Sequence, residues 1–210
     1  MKNIFLFSFY DILLKDTYNK SLEYNGFTPN GVCWSSKKSQ YIRFRVLTSL
    51  FKKFPIQKKL KIADIGCGCA ELLNYFYQQK IDCIYEGYDI NKNMIGYCKK
   101  KFENINFFLK NYPTNICDIS VMSGTYNYAV TEDIVSWEKY IIFNLSKCLN
   151  KSSFGIVFNL QFEKKRSIRN NIYYTDISYM FAMLKEKFKK VEKFYSYNSP
   201  KDIYFLIYRN

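Results

Sequence analysis

From Leu60 onward, short apolar runs alternate with stretches of helical periodicity, and this alternation restricts the fold more than any other feature. Leu60–Ile65, Cys83–Tyr88, Ile105–Leu109, Asp118–Met122 and Phe154–Leu160 read as strands. Between them, Ala70–Gln79, Asn91–Phe102 and Glu132–Leu149 carry apolar residues on one helical face, as with Ile134, Trp137, Ile141 and Leu145. A helix over Asp176–Lys187 and two strands, Val191–Tyr197 and Asp202–Tyr208, follow. Strands separated by helices run parallel, because the helix carries the chain back across the sheet, and such a sheet is covered on both faces. Asn198–Lys201 is too short for a crossover, so the last two strands form an antiparallel hairpin. The expectation is an α/β fold, a doubly wound, mostly parallel sheet.

The chain before Leu60 reads differently. Asn3–Tyr24 is a loose amphipathic helix, Gly26, Pro29 and Gly31 mark a turn-rich loop, and Ser35 or Ser36 caps a helix running to about Lys53, which Pro55 ends. Residues 1–54 are thus expected to form a helical cap on a core of residues 60–210, the whole making one domain of 210 residues. No run approaches the roughly 20 apolar residues that span a bilayer. The apolar opening Ile4–Tyr10 stops at Asp11 without a small-residue cleavage site, which argues against a signal peptide. Seven cysteines, an odd number with no C-x-x-C pair, fit a reduced, cytoplasmic protein without a cysteine-built metal site. Histidine is absent, which removes the commonest metal ligand and the commonest general base near neutral pH. The net charge of +14 attracts anions, RNA among them. The same excess of lysine also follows from a composition rich in Lys, Asn, Tyr, Ile and Phe, whose codons are AT-rich.

Two features carry the chemistry. Asp64-Ile65-Gly66-Cys67-Gly68-Cys69-Ala70 joins the first strand to its helix, where small residues permit a tight turn and close approach of a ligand to backbone. A plain strand-to-helix turn has the same look. Asp89 closes the second strand about 20 residues later, where an acid accepts from ribose hydroxyls; a helix-capping Asp is the alternative. A dinucleotide-binding loop would place a third small residue where Glu71 stands, and an acid facing a pyrophosphate is repelled.

The run ADIGCGCAELL followed by YEGYDINKNMI resembles the first two motifs of class I S-adenosylmethionine-dependent methyltransferases, and DISVMSGTYNY is similar to the family's fourth-strand motif. The resemblance covers Leu60 to Asn210, while the upstream CWSSKKSQYIRF looks like the leader of one bacterial subgroup. It implies a seven-stranded sheet with the last strand antiparallel and S-adenosylmethionine as cofactor. Asp64, Gly66 and Gly68 match the motif's acid and first two glycines, and Cys67 offers backbone to the methionine part. Ala70 stands for the third glycine, a residue less free to take positive φ. Asp89 matches the ribose acid, Ile90 would lie against adenine, and Asn111 would accept from the adenine amine. Trp34, Gln40 and Arg43 would roof the cofactor, with Arg43 on its carboxylate; Arg43 as a surface charge and Trp34 as a core anchor are the alternatives.

After the fourth strand, the resemblance would set Ser123 against the cofactor, and Tyr126 and Asn127 are the candidates for orienting an acceptor, or merely shape a loop. The Asn-Pro-Pro-Tyr pattern of amino-methylating nucleic-acid enzymes is absent. No base is evident in this segment, so the expected acceptor is a small molecule that offers nitrogen, sulfur or an acidic oxygen. An RNA acceptor and a non-catalytic cofactor-binding module are the competing readings. The basic run Lys164, Lys165, Arg166 and Arg169 either binds an anionic acceptor or is a solvated loop.

Overall fold

The computed structural model describes residues 2–55 and 59–209; Met1, residues 56–58 and Asn210, which fall in the span expected to form one domain, lie outside it. A central sheet holds β1 (Leu60–Ile65), β2 (Cys83–Asp89), β3 (Asn106–Leu109), β4 (Cys117–Met122) and β5 (Ser152–Phe162) in the parallel order β3-β2-β1-β4-β5. β9 (Asp202–Tyr208) runs antiparallel along β5, and β8 (Val191–Tyr195) pairs antiparallel with β9 at the edge. The expected terminal hairpin and the expected α/β fold are both present.

Helices pack on both faces because alternate residues of each strand point opposite ways. On one face Ile156, Phe158 and Leu160 of β5 and Ile203, Phe205 and Ile207 of β9 meet α5 (Ile134–Leu149) and α6 (Ile177–Lys187). On the other, Ile62 of β1, Ile119 and Val121 of β4, Val157 of β5 and Leu206 of β9 meet α2 (Lys37–Ser49), α3 (Glu71–Gln78) and α4 (Lys92–Lys101). Ser36, Asn91, Asp133 and Asp176 cap α2, α4, α5 and α6 through their side-chain oxygens.

α1 (Lys2–Asn25) lies against α5, with Phe7 against Tyr140 and Phe143 and Tyr10 bonded to Ser136 at 2.8 Å. Polar ties fix its position along the sheet. Asp11 accepts from Tyr140 (2.6 Å) and Asn111 (3.2 Å), and Asn19 accepts from Asn91 (2.8 Å) and Asn93 (3.0 Å). Its outward side leaves Phe5, Phe9 and Ile12 exposed.

Two strands were not expected. β6 (Ser167–Arg169) and β7 (Ile172–Thr175) form a hairpin whose turn, Asn170-Asn171, takes positive φ at both residues. That turn matches the right-handed twist of the strands, and Asn tolerates it better than most residues. β7 pairs with the far end of β5, beyond the reach of β4, and bonds the loop after β4: Tyr173 N–H donates to the Asn127 carbonyl (2.8 Å) and Ala129 N–H to the Asn171 carbonyl (2.7 Å). Buried Glu138 of α5 holds the hairpin from below, accepting from Tyr173 (2.7 Å) and Arg166 (2.8 Å). Trp137 beside it is fully buried and donates to the Tyr126 carbonyl at 3.2 Å. Trp137→Ala is expected to cost about 3–5 kcal/mol, since the void cannot fill from three packed sides. Chemical denaturation checks this, and a loss below about 1 kcal/mol would mean that the α5 contact contributes little.

Candidate cofactor and active site

The sheet order reverses between β1 and β4, so the loops after these two strands diverge to opposite faces and leave a crevice at their carboxyl ends. A cavity of about 280 Å³ lies there, lined by the glycine loop, the ends of β2 and β4, the leader before α2, and α1 and α5.

The glycine loop is built for close approach. Gly66 (φ +71°) and Gly68 (φ +53°) take left-handed conformations that side chains disfavour, and a Cβ on Gly66 would lie 2.7 Å from Thr125 Cγ2. Ala70 takes φ +59° as the residue before α3, so the position expected to resist positive φ adopts it. The surrounding fold holds that conformation against a cost of about 1–2 kcal/mol. Gly66 and Cys67 N–H donate to the Tyr88 carbonyl, at 2.7 and 3.0 Å. Asp89 sits under the loop: one carboxylate oxygen accepts from Gly68 N–H (2.9 Å), the other from Asn91 N–H (2.8 Å). The helix cap beside it is Asn91, which frees Asp89 from that role. Each Asp89 oxygen keeps further acceptor capacity toward the cavity it lines.

Asp64, at the end of β1, is 3% exposed and accepts from Tyr85 at 2.6 Å. Burial, opposed by that bond and reinforced by the nearby Asp89 charge, pushes its carboxyl up to about 7. Residue types alone do not show such a shift, which depends on how many neighbours exclude water. Burial also raises Asp89, against the pull of the Asn91, Gly68 and Ile90 backbone N–H groups.

The leader forms the roof. Trp34, Gln40 and Arg43 all line the cavity. The Arg43 guanidinium lies 4.9 Å over the Trp34 ring, and its Nε donates to buried Asp202 at 2.9 Å. One terminal nitrogen bonds Ser39 through its carbonyl (3.3 Å) and hydroxyl (2.5 Å). Much of its donor fork is therefore engaged by protein. Asp202 also accepts from Asn159 (2.8 Å), whose oxygen takes Gly124 N–H (2.9 Å), so one buried carboxylate ties the roof to β5, β9 and the loop after β4. Sequence reasoning missed Asp202 and Asn159, which lie far from every motif.

The lining also includes Leu14, Tyr18, Tyr126, Asn127, Tyr128, Tyr140 and Ile172. The Asn127 oxygen accepts from Gln161 N–H at 3.1 Å and so braces the loop. Asn111 lines the wall, but its amide is engaged, donating to Asp11 and accepting from Lys147 at 3.5 Å. Ile90, Cys67 and Ser123 complete the lining. Five buried polar atoms of cavity-lining residues lack a hydrogen-bond partner among the described residues: Gln40 Oε1, Ser123 Oγ, Tyr126 Oη, Asn144 Oδ1 and Glu71 Oε2, the last of which is ion-paired with Lys37 at 3.5 Å. Buried polar atoms are seldom left unsatisfied, so this concentration fits a site whose ligand brings polar groups of its own. The hydroxyl groups and positive charges of S-adenosylmethionine suit these amide and hydroxyl oxygens and the two acids, Asp64 and Asp89. Among the described residues no cluster of His, Cys, Asp and Glu has metal-binding geometry.

Two measurements test this construction. Gly68→Val should fold and lose affinity for S-adenosylhomocysteine, because a branched side chain disfavours φ +53° and obstructs the ligand's approach; a parental ligand-induced thermal shift would reduce the loop to a turn. The second follows from Asp64. The unfolded chain releases this proton near 3.8, whereas the folded protein keeps it to about 7. Across that window the folded state carries the extra proton, so stability contributed by Asp64 is lost as pH rises and the curve levels above about 7. Asp64→Asn should flatten the fall in thermal midpoint between about pH 5 and about pH 8. An unchanged slope would assign it to other groups.

Known proteins were compared with the chain in sequence and in structure. No protein-family model matches it. A Mycobacterium tuberculosis protein named as a methyltransferase is 27% identical over 134 residues, 61% of this chain and 81% of that one. A ubiquinone/menaquinone biosynthesis C-methyltransferase of Campylobacter jejuni is 27% identical over 157 residues, 71% of this chain; the match spans 60% of that enzyme's length. In structure, the chain is similar to a plantazolicin methyltransferase in complex with S-adenosylhomocysteine (TM-score 0.65, 14% identity, all of both chains covered). It is also similar to the magnesium protoporphyrin IX methyltransferase of Synechocystis with the same ligand (TM-score 0.58, 11% identity, 83% of this chain and 84% of that one). These structural likenesses give the fold, and the sequence matches come from proteins named as methyltransferases. By sheet order the chain has the fold of these methyltransferases, and the relatives it matches in sequence are named as methyltransferases.

Proposed function

We propose that this methyltransferase acts on a small molecule that accepts the methyl group on nitrogen, sulfur or an acidic oxygen. The observation that carries the reading is the enclosure of the acceptor end. α1 covers it with Tyr18, the β6–β7 hairpin adds Ile172, and the loop after β4 adds Asn127 and Tyr128. Such walls admit a compact, partly apolar molecule and exclude a nucleic-acid duplex.

S-adenosylmethionine supplies an electrophilic methyl group on a sulfonium. The chain's own contribution is placement. Asp89 takes the ribose hydroxyls, the Gly66–Gly68 backbone and Asp64 face the methionine part, Trp34, Gln40 and Arg43 roof it, and Ile90 and Ser123 flank the nucleoside. Tyr126 Oη is without a protein partner, and burial raises its pKa well above the phenol's ordinary value, so it keeps its proton. No group at the acceptor end is set to remove a proton, which favours an acceptor with a ready lone pair and a rate that comes from proximity.

The basic run gives little support to an RNA acceptor. Arg166 pairs with Glu138 and the exposed Arg169 with Glu163, so two of the run's four charges are already matched by carboxylates. Among the described residues no helix is long and apolar enough to cross a membrane.

Asp89→Ala should weaken S-adenosylhomocysteine by about 1.5–3 kcal/mol, the worth of charged hydrogen bonds; unchanged affinity in a folded variant removes the ribose assignment. For the acceptor, labelled S-adenosylmethionine offered with metabolite and RNA fractions should place label in the metabolites. Label in RNA, through binding that falls steeply with salt as phosphate contacts require, would reverse the choice of acceptor. An aliphatic methyl ether among the products would refute the chemistry.

A further inference from the structure

Asn144 and Tyr126 share one wall of the cavity, made by α5 and the loop after β4. Asn144 is 1% exposed and Tyr126 3%, and neither Asn144 Oδ1 nor Tyr126 Oη has a hydrogen-bond partner among the described residues. Buried polar atoms are seldom left unpaired, so their persistence on cavity-lining residues calls for a ligand that satisfies them. The Asn144 amide is oriented by its own bond: Nδ2 donates to the Tyr140 carbonyl at 3.1 Å, which leaves Oδ1 as the free group, an acceptor only. Tyr126 Oη offers a proton. The wall therefore presents one acceptor and one donor in apolar surroundings that include Leu14 and Ile90.

The part of the cofactor with matching chemistry is the edge of its base. Adenine presents an exocyclic amine, which donates, beside a ring nitrogen, which accepts. Asn111, the residue that sequence reasoning set against that amine, has its amide engaged by Asp11 and Lys147. Asn144 Oδ1, unlike the Asn111 oxygen, accepts no hydrogen bond from the described residues. Resting on the cofactor reading of this cavity, we infer that Asn144 and Tyr126 select the base: Asn144 Oδ1 accepts from the adenine amine, and Tyr126 Oη donates to a ring nitrogen. Both are specificity-determining groups, contributed by α5 and the β4 loop rather than by the loop after β3.

Calorimetry on the full chain tests this with two probes, S-adenosylhomocysteine and S-inosylhomocysteine. Inosine replaces the amine with a carbonyl and protonates the neighbouring nitrogen, so the donor and acceptor of that edge are exchanged. The unaltered protein should prefer the adenosyl compound by about 100-fold or more, as sites built around a hydrogen bond do. Asn144→Leu should reduce that preference to about 5-fold or less, through weaker adenosyl binding with inosyl binding nearly unchanged. Tyr126→Phe should reduce it by about 10-fold. Thermal midpoints near the parent's verify folding, and if Asn144→Leu does not fold, Tyr126→Phe decides alone. A preference retained in the folded variants overturns the inference, and so does an equal loss for both probes, which marks a purely structural role. If the unaltered protein binds neither probe, the cofactor reading itself fails, an outcome distinct from a lost preference.

Discussion

The parallel pairing of β1 with β4, Ile62–Asp64 against Ile119–Val121, is the constraint on which the site depends. Each strand must return by a helix, and the two chains leave this pair toward opposite faces of the sheet. Their carboxyl ends therefore cannot close on each other, and the gap between Gly66 and Ser123 is the mouth of a crevice. β2 then brings Asp89 beneath the glycine loop, and β5 brings Asn159 beneath Gly124. Every other feature of the site is attached to that gap.

What holds the attachments is a set of buried or half-buried carboxylates. Asp89 braces the glycine loop, Asp202 ties the roof to the sheet, Glu138 fixes the added hairpin, and Asp11 secures α1 to Asn111 and Tyr140. Burial raises all four against partners that pull them down. Such groups contribute little net stability, because desolvation offsets attraction, but removing one partner strands a buried charge or donor. Their effect is to allow one arrangement of roof, hairpin and lid around the crevice. In a chain without histidine, carboxylates and backbone amides do this ordering.

Much of the fold was legible because its signals are local. Apolar periodicity located the seven expected strands, and the short Asn198–Lys201 link forced the final hairpin. The β6–β7 hairpin was not legible. Its strands are only three and four residues long, too short for a periodic signal, and sit beside a basic run that draws the eye to charge. The one local cue was Asn170-Asn171, a pair suited to a turn with two positive φ values. Ala70 misled for the converse reason: propensity disfavours its conformation, and the packed loop imposes it.

The sequence by itself determined the glycine loop, the acid after β2 and the βα alternation, since each depends on residues that are neighbours along the chain. Only the tertiary structure decided which side chains are free to meet a ligand. Asn111 and Asn127 carry suitable amides, but partners tens of residues away engage them. Asn144 carries no signal along its helix, and Tyr126 was expected to orient an acceptor or shape a loop; both end with unpaired atoms on residues that line the cavity. Availability of a hydrogen-bonding atom is a property of its surroundings, set by contacts between distant segments, and a residue's identity carries no record of it.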